Sequence, residues 1–236
     1  MKDELSRSQF FVTPPHPCSY LDNREATTLF LDPREVVSAE QYQLLTENGF
    51  RRSGSHLYRP HCRRCQACIA TRIPVQYFAP RRRHRRVRKR NADLVTTVEP
   101  ARFTDRHYAL YERYVAERHS DGDMHPASAD QFRSFLLGSW AESLFICSYR
   151  QEELVAVAVT DRQPRGLSAI YTFYDPALED RSLGVFSILE QLRLCNRWAL
   201  PHLYLGYWIR DSPKMSYKLD YRPIQVLTDT GWTTLE

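Results

Sequence analysis

Apolar residues recur at helical spacing in four stretches of this chain and in short continuous runs elsewhere. Ser38-Ala-Glu-Gln41 has the spacing of a capping box, and the pattern through Tyr42, Leu44 and Leu45 to Asn48-Gly49 predicts a helix over 39–48. Asp105 to His119 carries Tyr108, Tyr111, Tyr114 and Val115 on one helical face. Ser128-Ala-Asp-Gln131 opens a further capped helix through Phe132, Phe135, Leu136 and Trp140. Ser182 is placed to cap a long helix with Val185, Phe186, Ile188, Leu189, Leu192 and Cys195 on its apolar face, closed by Pro201. Between these lie strand-like runs at 144–149, 154–160, 167–174, 203–209 and 224–227, with a short strand at 27–31 ending at Asp32-Pro33. Phe50 to Tyr58 reads as a turn between two extended pieces. Helices, three adjacent strands, a helix and a further strand predict an α/β (α+β) fold, a mixed sheet covered by helices.

Charge divides the chain. Eight of its 33 Lys and Arg fall within Arg81, Arg82, Arg83, His84, Arg85, Arg86, Val87, Arg88, Lys89 and Arg90, and without them the 28 acidic residues outnumber the basic ones. Gathering such charge is costly unless a polyanion neutralises it, and guanidinium forks grip phosphate bidentately, so the run points to a nucleic-acid backbone. Val87 is its single apolar residue, which argues against a membrane-surface helix. The run divides an N-terminal unit, 1–80, and a basic connecting segment, 81–99, from a larger unit, 100–236. Met1 to Gln9 is polar and charged, with no apolar segment of the export type behind it, and the longest apolar runs are strand-sized. A cytoplasmic protein with reduced thiols is the expectation.

Six cysteines then become informative. Cys62-Arg-Arg-Cys65-Gln-Ala-Cys68 repeats the knuckle spacing that lets two thiolates meet one metal. Cys18 is the natural fourth ligand, with His16 and His61 as imidazole alternatives, and zinc or an iron–sulfur cluster would suit such a set. Redox-sensitive thiols beside Arg63 and Arg64 are the competing reading. Cys147 and Cys195 sit in apolar patterns as core residues.

Five blocks, in order, carry a resemblance: Thr13-Pro-Pro-His-Pro-Cys-Ser-Tyr-Leu21; Tyr58-Arg-Pro-His-Cys-Arg-Arg-Cys-Gln-Ala-Cys68; Tyr171-Thr-Phe-Tyr-Asp-Pro176; Arg181-Ser-Leu-Gly184; and Tyr204-Leu-Gly-Tyr-Trp-Ile209 with Lys214-Met-Ser-Tyr-Lys218. Together they resemble the aminoacyl-tRNA–protein transferase family, and within it the bacterial aspartate/glutamate leucyltransferase branch. The resemblance implies a GNAT-like acyltransferase domain. It also implies transfer of leucine from leucyl-tRNA to the α-amine of proteins beginning with Asp or Glu, which marks them for degradation through the N-end rule pathway. The partners implied are a charged tRNA and an acidic protein terminus, with no membrane and no DNA.

An aminoacyl ester is already activated, so aminolysis needs no ATP, metal or enzyme nucleophile; proximity and oxyanion stabilisation suffice, and no cofactor is required for the chemistry. The catalytic candidates are Asp175 at a strand end, Ser182 at the opening of the long helix, and Tyr207 on the apolar run. Arg72, Lys214 and Lys218 are candidate receptors for the acidic terminus, Arg72 and Lys218 foremost, and Phe173, Tyr207 and Trp208 are candidates for an apolar donor pocket. Competing expectations are an arginyl- or phenylalanyl-tRNA–protein transferase, an acyl-CoA-dependent enzyme, and a non-enzymatic nucleic-acid-binding protein with a cysteine-ligated metal knuckle.

Overall fold

The structure, a computed structural model, describes residues 8–120, 122 and 124–235. The stretch read as lacking an export signal therefore lies mostly outside the described residues. Among the described residues no helix is long and apolar enough to cross a membrane.

A large mixed sheet covered by helices dominates the fold, as the apolar patterning predicts. Its strands are β7 (Ile69–Pro74), β8 (Leu94–Pro100), β9 (Glu142–Arg150), β10 (Glu153–Gln163), β11 (Gly166–Tyr174), β12 (His202–Trp208), β13 (Ile224–Thr228) and β14 (Gly231–Leu235). They lie in the order β14-β13-β7-β12-β11-β10-β9-β8. Every neighbouring pair is antiparallel except β11 and β12. The apolar run of β10 is buried on both faces and so shows no polar alternation: Ala158 packs with one core, Val157 and Val159 with the other. Helix α5 (Leu183–Arg197) covers the first face with Leu189, Leu192 and Cys195. Helices α3 (Asp105–Arg118) and α4 (Ala129–Leu136) cover the second, where Tyr111, Phe132, Phe145 and Phe173 stack edge to face.

A smaller sheet of β1 (Phe10–Val12), β4 (Thr28–Leu31), β5 (Arg51–Ser53) and β6 (His56–Pro60), in the order β1-β4-β6-β5, encloses its own core with helix α1 (Ala39–Glu47). The pair β2 (His16–Pro17) and β3 (Glu25–Ala26) forms a third, minimal sheet. Ser38 caps α1 by accepting the Gln41 N–H at 3.1 Å, as its spacing predicts. Strand β7, which follows the cysteines, lies between β12 and β13 inside the large sheet. The two sheets are also pinned by a fully buried ion pair. Arg52 Nε donates to Asp161 on β10 at 2.6 Å, and the Tyr42 hydroxyl donates to the same carboxylate at 2.6 Å.

Two local expectations need correction. Ser182 occupies the N-cap position of α5, but its backbone is left-handed (φ 54°) and its side chain makes no capping bond, because the preceding 3-10 turn sets its conformation. Helix α4 stops at Leu136, short of Trp140. The Trp140 indole instead donates to the Ser55 carbonyl at 2.9 Å and packs edge-on against Tyr42.

Candidate active site

The parallel ladder between β11 and β12 joins only Gly166–Ser168 to His202–Tyr204, although both strands run on, to Tyr174 and to Trp208. A β-bulge between Tyr204 and Gly206 reshapes β12 at the place where the ladder stops. Gly206 there has φ +80°, and a Cβ on it would lie 3.2 Å from Nε of Arg51, so the position calls for glycine on conformation and on space. Arg51 reaches across from the small sheet. Its Nη1 donates to Ser168 Oγ at 2.8 Å and its Nη2 to the Ala169 carbonyl, so the guanidinium sits where the two strands part.

Other groups converge on the same opening. Tyr207 is buried, and its hydroxyl donates to the Gly49 carbonyl at 2.8 Å and approaches that of Tyr58 at 3.3 Å. Burial holds that phenol well above its ordinary pKa. Lys218, in the 3-10 segment Pro213–Asp220, is only 4% exposed; its Nζ donates to the Tyr207 carbonyl and lies 3.2 Å from Met215 Sδ. Burial, reinforced by the Arg51 charge and partly offset by Cys68, lowers the Lys218 pKa to about 7. The chain thus delivers Arg51, Tyr58, Tyr207 and Lys218 to one place from four separate elements.

The cysteines flank this region. Cys18, Cys62, Cys65 and Cys68 line a cavity of about 630 Å³ that Tyr207 also borders. A smaller cavity of about 180 Å³ lies between Cys18, Cys62, Cys68, Tyr20, Tyr58 and Tyr207. All six cysteines are free thiols. Burial first, then the neighbouring Cys18, Cys62 and Cys65, pushes the Cys68 thiol up to about 12. Among the described residues, the group of ligand atoms that converges within 4.8 Å is a different one: Glu99, His107 and Cys147, under α3.

The other sequence candidates take varied positions. Asp175 is buried and fixes a loop, its Oδ1 accepting the Ala177 N–H at 3.0 Å and its Oδ2 lying 3.5 Å from Arg113. Arg72 bonds Gln225 at 2.7 Å and stacks on Trp232 at 4.4 Å. Lys214 is exposed. Trp208 is buried, and Phe173 lies within the aromatic core with no accessible surface. The basic run forms helix α2 (Arg82–Arg90), docked through Val87 and through His84, whose ring stacks on Tyr221 at 5.1 Å. Its other side is solvent-facing, and among the described residues only Arg83 of the run has a carboxylate partner, Asp220. Arg51 was invisible as a site residue in the sequence, because an Arg-Arg pair at a hairpin start looks like surface charge. Its one signal is that it sits beside a second arginine that also proves buried.

Comparison with known proteins resolves the family. Residues 106–228 match the family model described as "Arginine-tRNA-protein transferase, C terminus", and residues 16–86 its N-terminal counterpart. The chain belongs to the arginine-tRNA-protein transferase family. Among curated members it is 53% identical over 229 residues to the aspartate/glutamate leucyltransferase of Alcanivorax borkumensis, covering 97% of this chain and 95% of that one. It is likewise 53% identical to proteins of that description from Hahella chejuensis, covering 96% and 97% of the two chains, and Pseudomonas fluorescens, covering 98% and 99%. A solved C-terminal domain of a putative lysylphosphatidylglycerol synthetase from Agrobacterium fabrum superposes with a TM-score of 0.47 at 11% identity, over 71% of this chain and 51% of that one. The matched family segments contain the elements that supply Arg51, Tyr58, Tyr207 and Lys218.

Proposed function

We propose that this member of the arginine-tRNA-protein transferase family transfers leucine from leucyl-tRNA to the α-amino group of proteins that begin with Asp or Glu. The observation that carries the reading is the 53% identity, over nearly the whole of both chains, to proteins described as aspartate/glutamate leucyltransferases. In the reaction the amine nitrogen attacks the ester carbonyl, the new C–N bond forms, and the C–O bond to the tRNA ribose breaks. The proton lost by the amine ends on the departing hydroxyl. A free α-amine with a pKa of ~7.7–8.0 is partly neutral near pH 7, so a shared proton path is enough and positioning supplies most of the rate.

In this reading the exposed face of α2 holds the tRNA backbone and the opening between β11 and β12 holds the reacting ends. Tyr207 borders it, Asp175 fixes the loop that follows β11, and Ser182 sets the entry to α5. Trp208 belongs to the strand that forms one wall; Lys214 stands exposed in the 3-10 segment that also carries Lys218. The Cys18, Cys62, Cys65 and Cys68 thiols supply a donor set of the right chemistry for zinc or an iron–sulfur cluster around a shared cavity. Such a group would brace the N-terminal unit and takes no part in the transfer step. Cytoplasmic charged tRNA is the donor pool that this activity draws on.

The test incubates the purified protein with tRNA charged with leucine, phenylalanine or arginine and with peptides beginning with Asp, Glu, Lys or Ala. Leucine transfer to the Asp and Glu peptides is the expected result. No transfer with any donor would sink the proposal, and transfer of arginine instead would redirect it within the family. Elemental analysis of wild type against Cys62→Ser/Cys65→Ser reads the metal question separately, with a metal lost from the variant as the expected result.

A further inference from the structure

We propose that Arg51 and Lys218 together form the receptor for the side-chain carboxylate of the protein substrate's first residue, a role that rests on the transferase reading above. The argument begins from a contrast between neighbours in the chain. Arg52 is fully buried, and the fold neutralises it with Asp161, held at 2.6 and 2.8 Å. Arg51, 8% exposed, has only neutral acceptors: the Ser168 hydroxyl and the Ala169 carbonyl. Lys218 is buried as deeply, and its contacts too are neutral, the Tyr207 carbonyl and the Met215 sulfur. Among the described residues neither cation has a carboxylate partner. Two desolvated positive charges that act on each other through the protein interior are costly without an anion between them. The fold has the means to neutralise a buried arginine and uses it one residue away.

The surroundings say where the anion enters. Arg51 lies directly opposite Tyr58 in the β5–β6 ladder and Lys218 Nζ donates to the Tyr207 carbonyl, and both tyrosines line the cavity of about 180 Å³. The cations therefore stand behind the wall of a recess with room for one side chain. Two further features hold the receptor in place. Gly206 leaves space for the guanidinium, and the Tyr217 ring faces the ammonium with its centroid 5.7 Å from Nζ. Arg72 is occupied elsewhere by Gln225 and Trp232, which separates it from this pair.

A receptor for an acid must distinguish Asp from Asn, which has nearly the same shape. The experiment compares kcat/KM for peptides beginning with Asp and with Asn in wild type, Arg51→Gln, Arg51→Lys and Lys218→Met. It also measures calorimetric binding of Asp-Leu amide to each protein in the absence of tRNA. Removing one partner of a buried charge contact costs ~2–5 kcal/mol, so the Asp-over-Asn ratio should fall by roughly 30- to 4000-fold in Arg51→Gln and in Lys218→Met. Arg51→Lys should keep part of it. Dipeptide binding should disappear in the same two variants while they still unfold cooperatively. Equal losses for the Asp and Asn peptides would overturn the proposal, because the cations would then serve the reacting carbonyl or the fold. Undiminished dipeptide binding in both variants would overturn it as well. Wild type that binds the dipeptide but transfers nothing would leave the receptor standing and strike the transferase reading instead.

Discussion

Positive charge is used in two opposite ways in this protein. Helix α2 and its N-cap Arg81 concentrate eight basic residues beside water, most of them exposed, docked by the small apolar footprint of Val87 and His84. The opening between β11 and β12 has only two cations, both buried and both held by neutral acceptors. In the first place charge is cheap, because solvent screens it, and its strength lies in number. In the second it is expensive, and its strength lies in the absence of competing water. The first arrangement suits a long polyanion whose sequence need not be read. The second suits one carboxylate that must be told from its amide.

That contrast can be broken at several points. The largest effect is expected at the neutralised buried charge. Arg52→Met leaves Asp161 buried without its partner and should lower stability by ~3–5 kcal/mol, measured by urea denaturation. Replacing Arg82, Arg83, Arg85 and Arg86 with Gln should weaken tRNA binding by about 100-fold at low salt and flatten the dependence of log Kd on log salt by about 2–4 in slope. An unchanged slope would remove α2 from the tRNA surface.

Lys218→Met should move stability the other way, by on the order of 2 kcal/mol in favour of the variant near pH 7. The sign follows from the lowered pKa, about 7 in the fold against an ordinary 10.5. Between those values the unfolded chain holds a proton that the folded one lacks, so wild-type stability rises with pH across that window. The advantage of the variant should therefore be largest at and below pH 7 and fade toward pH 10.5, as followed by thermal melts over that range. Asp130→Asn, which breaks an exposed i,i+3 pair with Arg133, should change stability by less than about 0.5 kcal/mol.

Periodicity carried most of the fold because burial on one face or both writes itself directly into apolar spacing. The strands β9 to β13, the helices α1, α3 and α5, and the hairpin of β5 and β6 were all legible in that way. Strand β8 was missed, since its Val95 and Val98 face solvent and break the pattern. Helix α4 was read too long because Trp140 continues the apolar spacing while its indole answers to Ser55 and Tyr42 instead. The site was less legible than the fold. Lys218 stood out through its block, but Arg51 acquires meaning only when the β11–β12 ladder ends beside it. A ladder's end is a relation between strands distant in sequence, set by the Gly206 bulge, and no local pattern announces it. For the same reason Phe173, an aromatic within the family-like block Tyr171–Pro176, reads as pocket-forming although it faces the packed side of β11.

The position of β7 bears on how the chain is made. Thr71 on β7 bonds the Gly206 carbonyl on β12, 135 residues further on. At ~5–20 residues per second of synthesis, β7 waits roughly 7–27 seconds for the neighbour that it bonds there. During that interval its backbone donors and acceptors on both sides lack their final partners, between a cysteine cluster and a highly cationic helix. The growing protein is therefore open to misassembly for most of its birth, and the cations of α2 offer a means of keeping nascent chains apart until the sheet closes.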